Sequence, residues 1–121
     1  MGSALKWPLH VTPVRCDNVL VIVLAGRLGQ AAETTLNGTL THAIGQGDIR
    51  VVLDLAGVDY ISSPGLRAIA SAADRCTAGH GMLVLCGVGE PVSIALELAG
   101  LATQIPVEPT RDLAVARFNS R

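Results

Sequence analysis

The stretch VVLDLAGVDYISSPGLRAIASAADRCTA, Val51–Ala78, decides the fold. Its opening, Val51–Leu55, is a compact β-branched and aliphatic run, as expected of a buried strand. Asp54 stands near the end of that run, and Gly57 and Asp59 are expected to break it. A short apolar pair, Tyr60-Ile61, then leads into Ser62-Ser63-Pro64-Gly65. From there apolar residues fall at Leu66, Ile69, Ala73 and Cys76, with Arg67, Ser71, Asp74 and Arg75 between them. That is helical spacing, so the stretch is strand, loop, helix.

The junction has a specific chemistry. Pro64 suits the first position of a helix, where its missing N–H is not needed. Proline also pushes the residue before it out of the α region, which predicts Ser63 as the N-cap. Two roles follow for its hydroxyl. It can cap the helix, a contribution of about 1 kcal/mol. It can also carry a phosphate, because a helix N-terminus favours negative charge.

Upstream, Leu9–Cys16 predicts a short edge strand that tolerates Pro13, and Asp17-Asn18 a turn. Val19–Ala25 (VLVIVLA) is apolar on both faces and is expected to run centrally, covered on both sides, until Gly26 and Gly29 end it. Ala31–Ile44 predicts a helix with a stripe at Ala32, Leu36, Leu40 and Ala43/Ile44. Downstream, Gly79-His80-Gly81 is a connection and Met82–Cys86 another buried strand. Glu90-Pro91 opens a helix with Val92, Ala95, Leu96 and Ala99 inward and Gly100 as its stop. Ile105–Val107 predicts a short last strand, and Thr110 caps a final helix through about Phe118.

Strands thus alternate with helices after a leading hairpin. The expected fold is α/β: a mixed, mostly parallel sheet of about four to five strands with about four helices. Helices are expected to cover mainly one face. Residues 1–8 are expected to form a flexible N-terminal tail and residues 9–121 a single domain, since 121 residues suit one core.

Composition narrows the function. Half the residues are hydrophobic, yet there is one Trp, one Tyr and one Phe, so the core must be aliphatic. A net charge of −1 gives no electrostatic case for nucleic acid or an anionic membrane. No apolar run approaches the roughly 20 residues that span a bilayer. With no charged-then-apolar leader, the expected location is the cytoplasm. Cys16, Cys76 and Cys86 fit reduced thiols. His10, His42 and His80 share no ligand spacing, so neither a metal nor another cofactor is expected. Gly87–Gly89 lacks the full phosphate-loop and dinucleotide patterns and is expected to be a turn. Ser62 and Ser63 have no identifiable His partner and no nucleophile elbow, so no catalytic residue is assigned.

Four segments together carry a resemblance. They are Val19–Leu28 ending in Gly26-Arg27-Leu28; Val51–Leu55 followed by Tyr60-Ile61-Ser62-Ser63-Pro64-Gly65-Leu66; Gly79–Leu85; and Val92–Val107 with Leu98-Ala99-Gly100-Leu101. In this order the chain resembles the STAS domain, in particular the bacterial anti-sigma-factor antagonists, over about Val11–Phe118.

The resemblance implies a partner switch rather than an enzyme. It implies binding to an anti-sigma factor that is also a serine kinase, phosphorylation at Ser63, and reversal by a metal-dependent serine phosphatase, in a monomer or weak dimer. The implied binding surface is the Leu28–Ala31 loop with Gly29, the turn Ser62, Ser63, Pro64 and Gly65, and Arg67 and Ser71 on the helix. Asp54 is a candidate for positioning the partner or the serine turn, or for ending its strand by accepting loop N–H bonds. Three positions depart from the family pattern: Ser62 where Asp is frequent, Pro64 where a small or hydroxyl residue is usual, and Gly29 where an acid follows the leucine. Two other readings therefore stay open: a STAS scaffold subunit that is not phosphorylated, and a small-ligand or nucleotide-binding module using the glycine-rich turns.

Overall fold

A computed structural model describes residues 9–119, apart from the side chains of Ala31 and Ala32. The expected tail and the Ala32 position of the first helical stripe therefore lie outside the described residues. The elements run β1 His10–Cys16, β2 Val19–Leu28, α1 Gln30–Gly45, β3 Arg50–Ile61, α2 Ser63–Ala78, β4 Met82–Cys86, α3 Glu90–Leu98, β5 Val107–Glu108 and α4 Arg111–Asn119.

The five strands form one sheet in chain order, β1-β2-β3-β4-β5. β1 pairs antiparallel to β2, through a two-residue turn in which Asp17 takes a left-handed φ of 56°. Every later pairing is parallel. This is the expected α/β architecture with an antiparallel edge.

The period-2 alternation of the strands separates two cores. On one face Leu20, Ile22, Leu24, Leu53, Leu55, Leu83 and Leu85 pack with Leu36 and Leu40 of α1, Ile69 and Ala72 of α2, and Val92 and Leu96 of α3. On the other, Val19, Val21, Val52, Val84 and Cys86 pack with Ala114, Val115 and Phe118 of α4. Three helices thus cover one face and one covers the other. β2 is apolar on both faces because both are covered, as its sequence required.

Several boundaries differ from expectation. β2 does not stop at Gly26 but continues to Leu28, with Gly26 at φ 116°. β3 does not break at Gly57 and Asp59. It runs on to Ile61 by two irregularities in its register with β2, between Val23 and Ala25 and between Gly26 and Arg27. At each, β3 carries one more residue than its partner, which bends and twists the strand without ending it. Gly57 serves a close approach there: a Cβ would stand 2.9 Å from that of Ala25. α1 begins at Gln30, leaving little of the expected loop. α3 ends at Leu98, so Ala99 is an exposed cap residue and not inward. β5 is only Val107–Glu108, while Ile105 is buried in the first core. Thr110 does cap α4, its hydroxyl accepting from Leu113 N at 3.2 Å.

Candidate functional site

The end of β3 and the start of α2 build the site. Ser62 has extended backbone, φ −109° and ψ 176°, and is the N-cap of α2. Its amide donates to the Leu28 carbonyl at 3.0 Å, and its own carbonyl accepts from Leu66 N at 2.9 Å. Its hydroxyl donates to the Leu28 carbonyl as well, at 3.4 Å, and so forms no cap hydrogen bond. The cap was expected at Ser63, which is instead the first helical residue. The reason is that the Ser62 amide is held by the end of β2, which keeps Ser62 extended. Pro64 then falls within the first turn, where N–H groups have no intrahelical partner in any case. Ser63 is exposed.

Gly65 makes this geometry possible. A Cβ there would lie 2.5 Å from the Leu28 carbonyl oxygen and 2.9 Å from Leu28 Cγ. The first turn of α2 therefore lies against the end of β2 at a distance only glycine permits. Beyond it, Ser63, Arg67 and Ser71 are exposed at four-residue spacing, one stripe along the helix. Pro64 is half-buried beside them.

The β2–α1 junction lies alongside. Gly29 caps α1 with extended backbone, and its carbonyl accepts from Glu33 N at 3.0 Å. A Cβ on Gly29 would be 3.7 Å from Tyr60 Cε2 and 4.0 Å from Ser62 Oγ, so a side chain fits there and would face the serine turn. Arg27 stacks its guanidinium 3.9 Å from the centroid of the Tyr60 ring, a cation–π contact on the exposed rim of the same junction. Sequence reasoning missed Arg27 and Tyr60 as a pair. They meet because they are register partners after the second irregularity of β3, which no local pattern announces.

The structure thus brings together Gly29, Ser62, Ser63, Pro64 and Gly65, with Arg67 and Ser71 extending the surface along α2. Two expected members lie elsewhere. The Leu28 side chain is fully buried, and only its carbonyl serves the turn. Asp54 is 8% exposed and stands on the α4 side of β3, across the sheet from α2. There its Oδ1 accepts from Ala56 N at 3.1 Å, and its Oδ2 accepts from Arg111 Nε at 3.0 Å and from the NH2 nitrogen at 2.9 Å. It does accept a loop-side N–H, but its main partner comes from 57 residues away.

Beside that pair, burial and the Asp54 carboxylate push the Cys86 thiol up to about 11, against the opposing pull of Arg111. A thiol held protonated in this way is a core residue, not a nucleophile. Among the described residues, no three His, Cys, Asp or Glu side chains converge where a metal ion would bind. No described helix is long and apolar enough to cross a membrane.

Comparison with known proteins agrees with this fold. The STAS domain family model matches residues 11–114. A protein of Bordetella bronchiseptica named as an anti-sigma factor antagonist, BtrV, is 34% identical over 112 residues, covering 93% of this chain and 97% of that one. An anti-sigma factor antagonist from Mycobacterium paratuberculosis superposes with a TM-score of 0.85 at 20% identity, over 93% of this chain and 95% of that one. The Bacillus cell fate determinant SpoIIAA in its phosphorylated form gives a TM-score of 0.71 at 18% identity, over 91% and 98%. These structural likenesses speak for the fold, and the family match and the Bordetella relative carry the identity. The chain belongs to the STAS domain family, and the Bordetella relative it matches there is named as an anti-sigma factor antagonist.

Proposed function

We propose that this protein is a partner-switching regulator that binds an anti-sigma factor through the surface around Ser63, and that phosphorylation of Ser63 by that partner, acting as a serine kinase, releases it. A metal-dependent serine phosphatase resets the switch. The chain acts as a monomer or weak dimer in the cytoplasm and catalyses no reaction itself. One observation carries the reading: Ser63 is exposed in the first turn of α2, while Ser62 takes the capping position. The Ser63 hydroxyl is therefore not needed to hold the helix. A phosphate there adds about −1.5 to −2 charge at a helix N-terminus, which tolerates it. The fold stands while the binding face gains that negative charge, and burying it against a partner that offers no cation is costly. SpoIIAA, which shares the fold, has a phosphorylated form.

The experiment has two parts. Mass spectrometry of the chain from its native host, grown with and without stress, reads Ser63 directly. Capture of the anti-sigma factor is then compared for Ser63→Ala and Ser63→Asp. The switch predicts a phosphate on a fraction of Ser63, retained capture by Ser63→Ala and loss of capture by Ser63→Asp. An unmodified Ser63 in every condition, with equal capture by both variants, would leave the scaffold reading in its place. The half-buried Pro64 and the missing acid at Gly29 are the features that favour that second reading.

A further inference from the structure

The opposite end of the sheet carries a second candidate site. β3 has 12 residues, so its start stands roughly 30 Å from the serine turn. There Arg50 at the start of β3, His80 and Gly81 of the α2–β4 turn, Met82 at the start of β4, and Arg117 and Phe118 of α4 line a cleft of about 310 Å³. That is the small end of the range for ligand pockets. It suits a compact anion.

Basic side chains line it. Arg50, His80 and Arg117 rim it. Glu108 engages one guanidinium nitrogen of Arg117 at 2.5 Å and leaves the other N–H groups of that fork. Asp48, the acid closest to Arg50 in sequence, is bonded to Arg15 at 2.6 Å in a different cleft. Met82 and Phe118, both half-buried, supply an apolar floor.

The backbone fixes where the imidazole stands. His80 has a φ of +69° as the residue that closes α2: Gly81 N donates to the Cys76 carbonyl at 2.7 Å and His80 N to the Thr77 carbonyl at 2.9 Å, the paired bonds of a helix C-terminal cap. Glycines flank it on both sides. A Cβ on Gly81 would stand 1.9 Å from the Ile49 carbonyl oxygen, and the Met82 amide donates to that same oxygen at 2.8 Å, so the turn cannot relax away from β3. The capped turn thus holds an imidazole that lines the cleft.

We infer that this cleft binds a small phosphate-bearing ligand, its phosphate held by Arg50, His80 and the remaining N–H groups of Arg117, and its uncharged part resting on Met82 and Phe118. Guanidinium groups match phosphate oxygens with paired hydrogen bonds. The site is separate from the Ser63 surface and does not depend on its function.

The test is an amide-shift titration of the full isotope-labelled chain with inorganic phosphate and with phenyl phosphate, each to about 10 mM, above the millimolar affinity a fragment of this size reaches. Both probes are expected to shift the amides around Arg50, His80 and Phe118, with phenyl phosphate binding more tightly. Arg50→Gln is expected to weaken phenyl phosphate about tenfold, as loss of a charge-assisted contact requires. His80→Gly is expected to weaken it while leaving the melting temperature unchanged or higher. Saturable shifts elsewhere, no shifts, or affinities unchanged in both variants would overturn the site. A large fall in melting temperature for His80→Gly would mean that its lost binding is lost folding, and would overturn the assignment of His80 to the phosphate.

Discussion

At the scale of single residues, close approach matters more than chemistry at the serine turn. Gly65 sits where a methyl group would meet both the backbone and side chain of Leu28. Gly65→Ala is therefore expected to cost about 1–3 kcal/mol by forced displacement of α2. It should also disturb partner binding, since the turn carries Ser63. Gly38 is the contrasting case: it lies inside α1, and a Cβ there meets nothing within 4 Å. Gly38→Ala is expected to stabilise by about 0.5–1 kcal/mol, through a less flexible unfolded chain. Urea denaturation of the two variants measures both signs. Cys86 makes a third residue-scale case. Its thiol loses its proton at about 11, above the ordinary thiol value, because of burial. Between those two values the unfolded chain has released the proton and the folded one has not. Stability therefore falls as pH rises through that window. Cys86→Ala should flatten that part of the profile, and a thiol reagent at pH 8 should label Cys16, which is half-buried, well before Cys86.

At the scale of elements, the Asp54–Arg111 pair explains how a helix with little apolar character stays on the sheet. α4 buries Ala114 fully and packs Val115 and Phe118 against the second core. Asp54 holds its first turn through two nitrogens of Arg111. Asp54→Asn keeps the size and an acceptor for the Ala56 amide but removes the charge opposite Arg111. It is expected to cost about 1–3 kcal/mol and to speed amide exchange in α4 more than in α2. Equal exchange in both helices would mean that α4 is held by its apolar contacts alone. This pair also shows what was legible in the sequence. The helices and strands were, because their apolar spacing is local: Val19–Ala25, Met82–Cys86 and the α2 stripe each declare themselves within a few residues. The Arg111 partner was not, since nothing in a stretch around Asp54 points across 57 residues. The continuation of β3 through Gly57 and Asp59 was hidden too. Glycine marks a break and a close strand crossing alike, and only the register with β2 tells them apart. The serine turn itself was legible as a helix start. Its cap was displaced by one residue, because the Leu28 carbonyl that fixes Ser62 comes from another strand.

At the scale of the whole molecule, the two cores meet only through the strands that separate them. β2, β3 and β4 contribute to both, Leu20, Leu53 and Leu83 facing one way and Val19, Val52 and Val84 the other. Losing either layer of helices would leave one face of these strands in water, at roughly 25 cal/mol for each square ångström of apolar surface. The sheet centre is therefore expected to open only when the whole domain unfolds. The edges differ. β1 has every residue exposed or half-exposed, and β5 pairs through Leu85–Val107 and Cys86–Glu108 alone. Arg15 ties β1 to Asp48 before β3, and that arginine holds the Asp48 carboxyl below its ordinary value. The contribution of this tie is present at neutral pH and is lost as pH falls through the carboxylate range. Native-state hydrogen exchange at pH 7 is expected to place Val21–Ile22, Val52–Leu53 and Val84 at the global unfolding free energy, with β1 and β5 opening at lower cost. At a pH well below the ordinary carboxylate value, where Asp48 takes up its proton, the β1 amides should lose protection ahead of the centre, and Asp48→Asn should show that early loss already at pH 7. A centre that exchanges as fast as β1 would mean that the two cores unfold separately, with α4 leaving first.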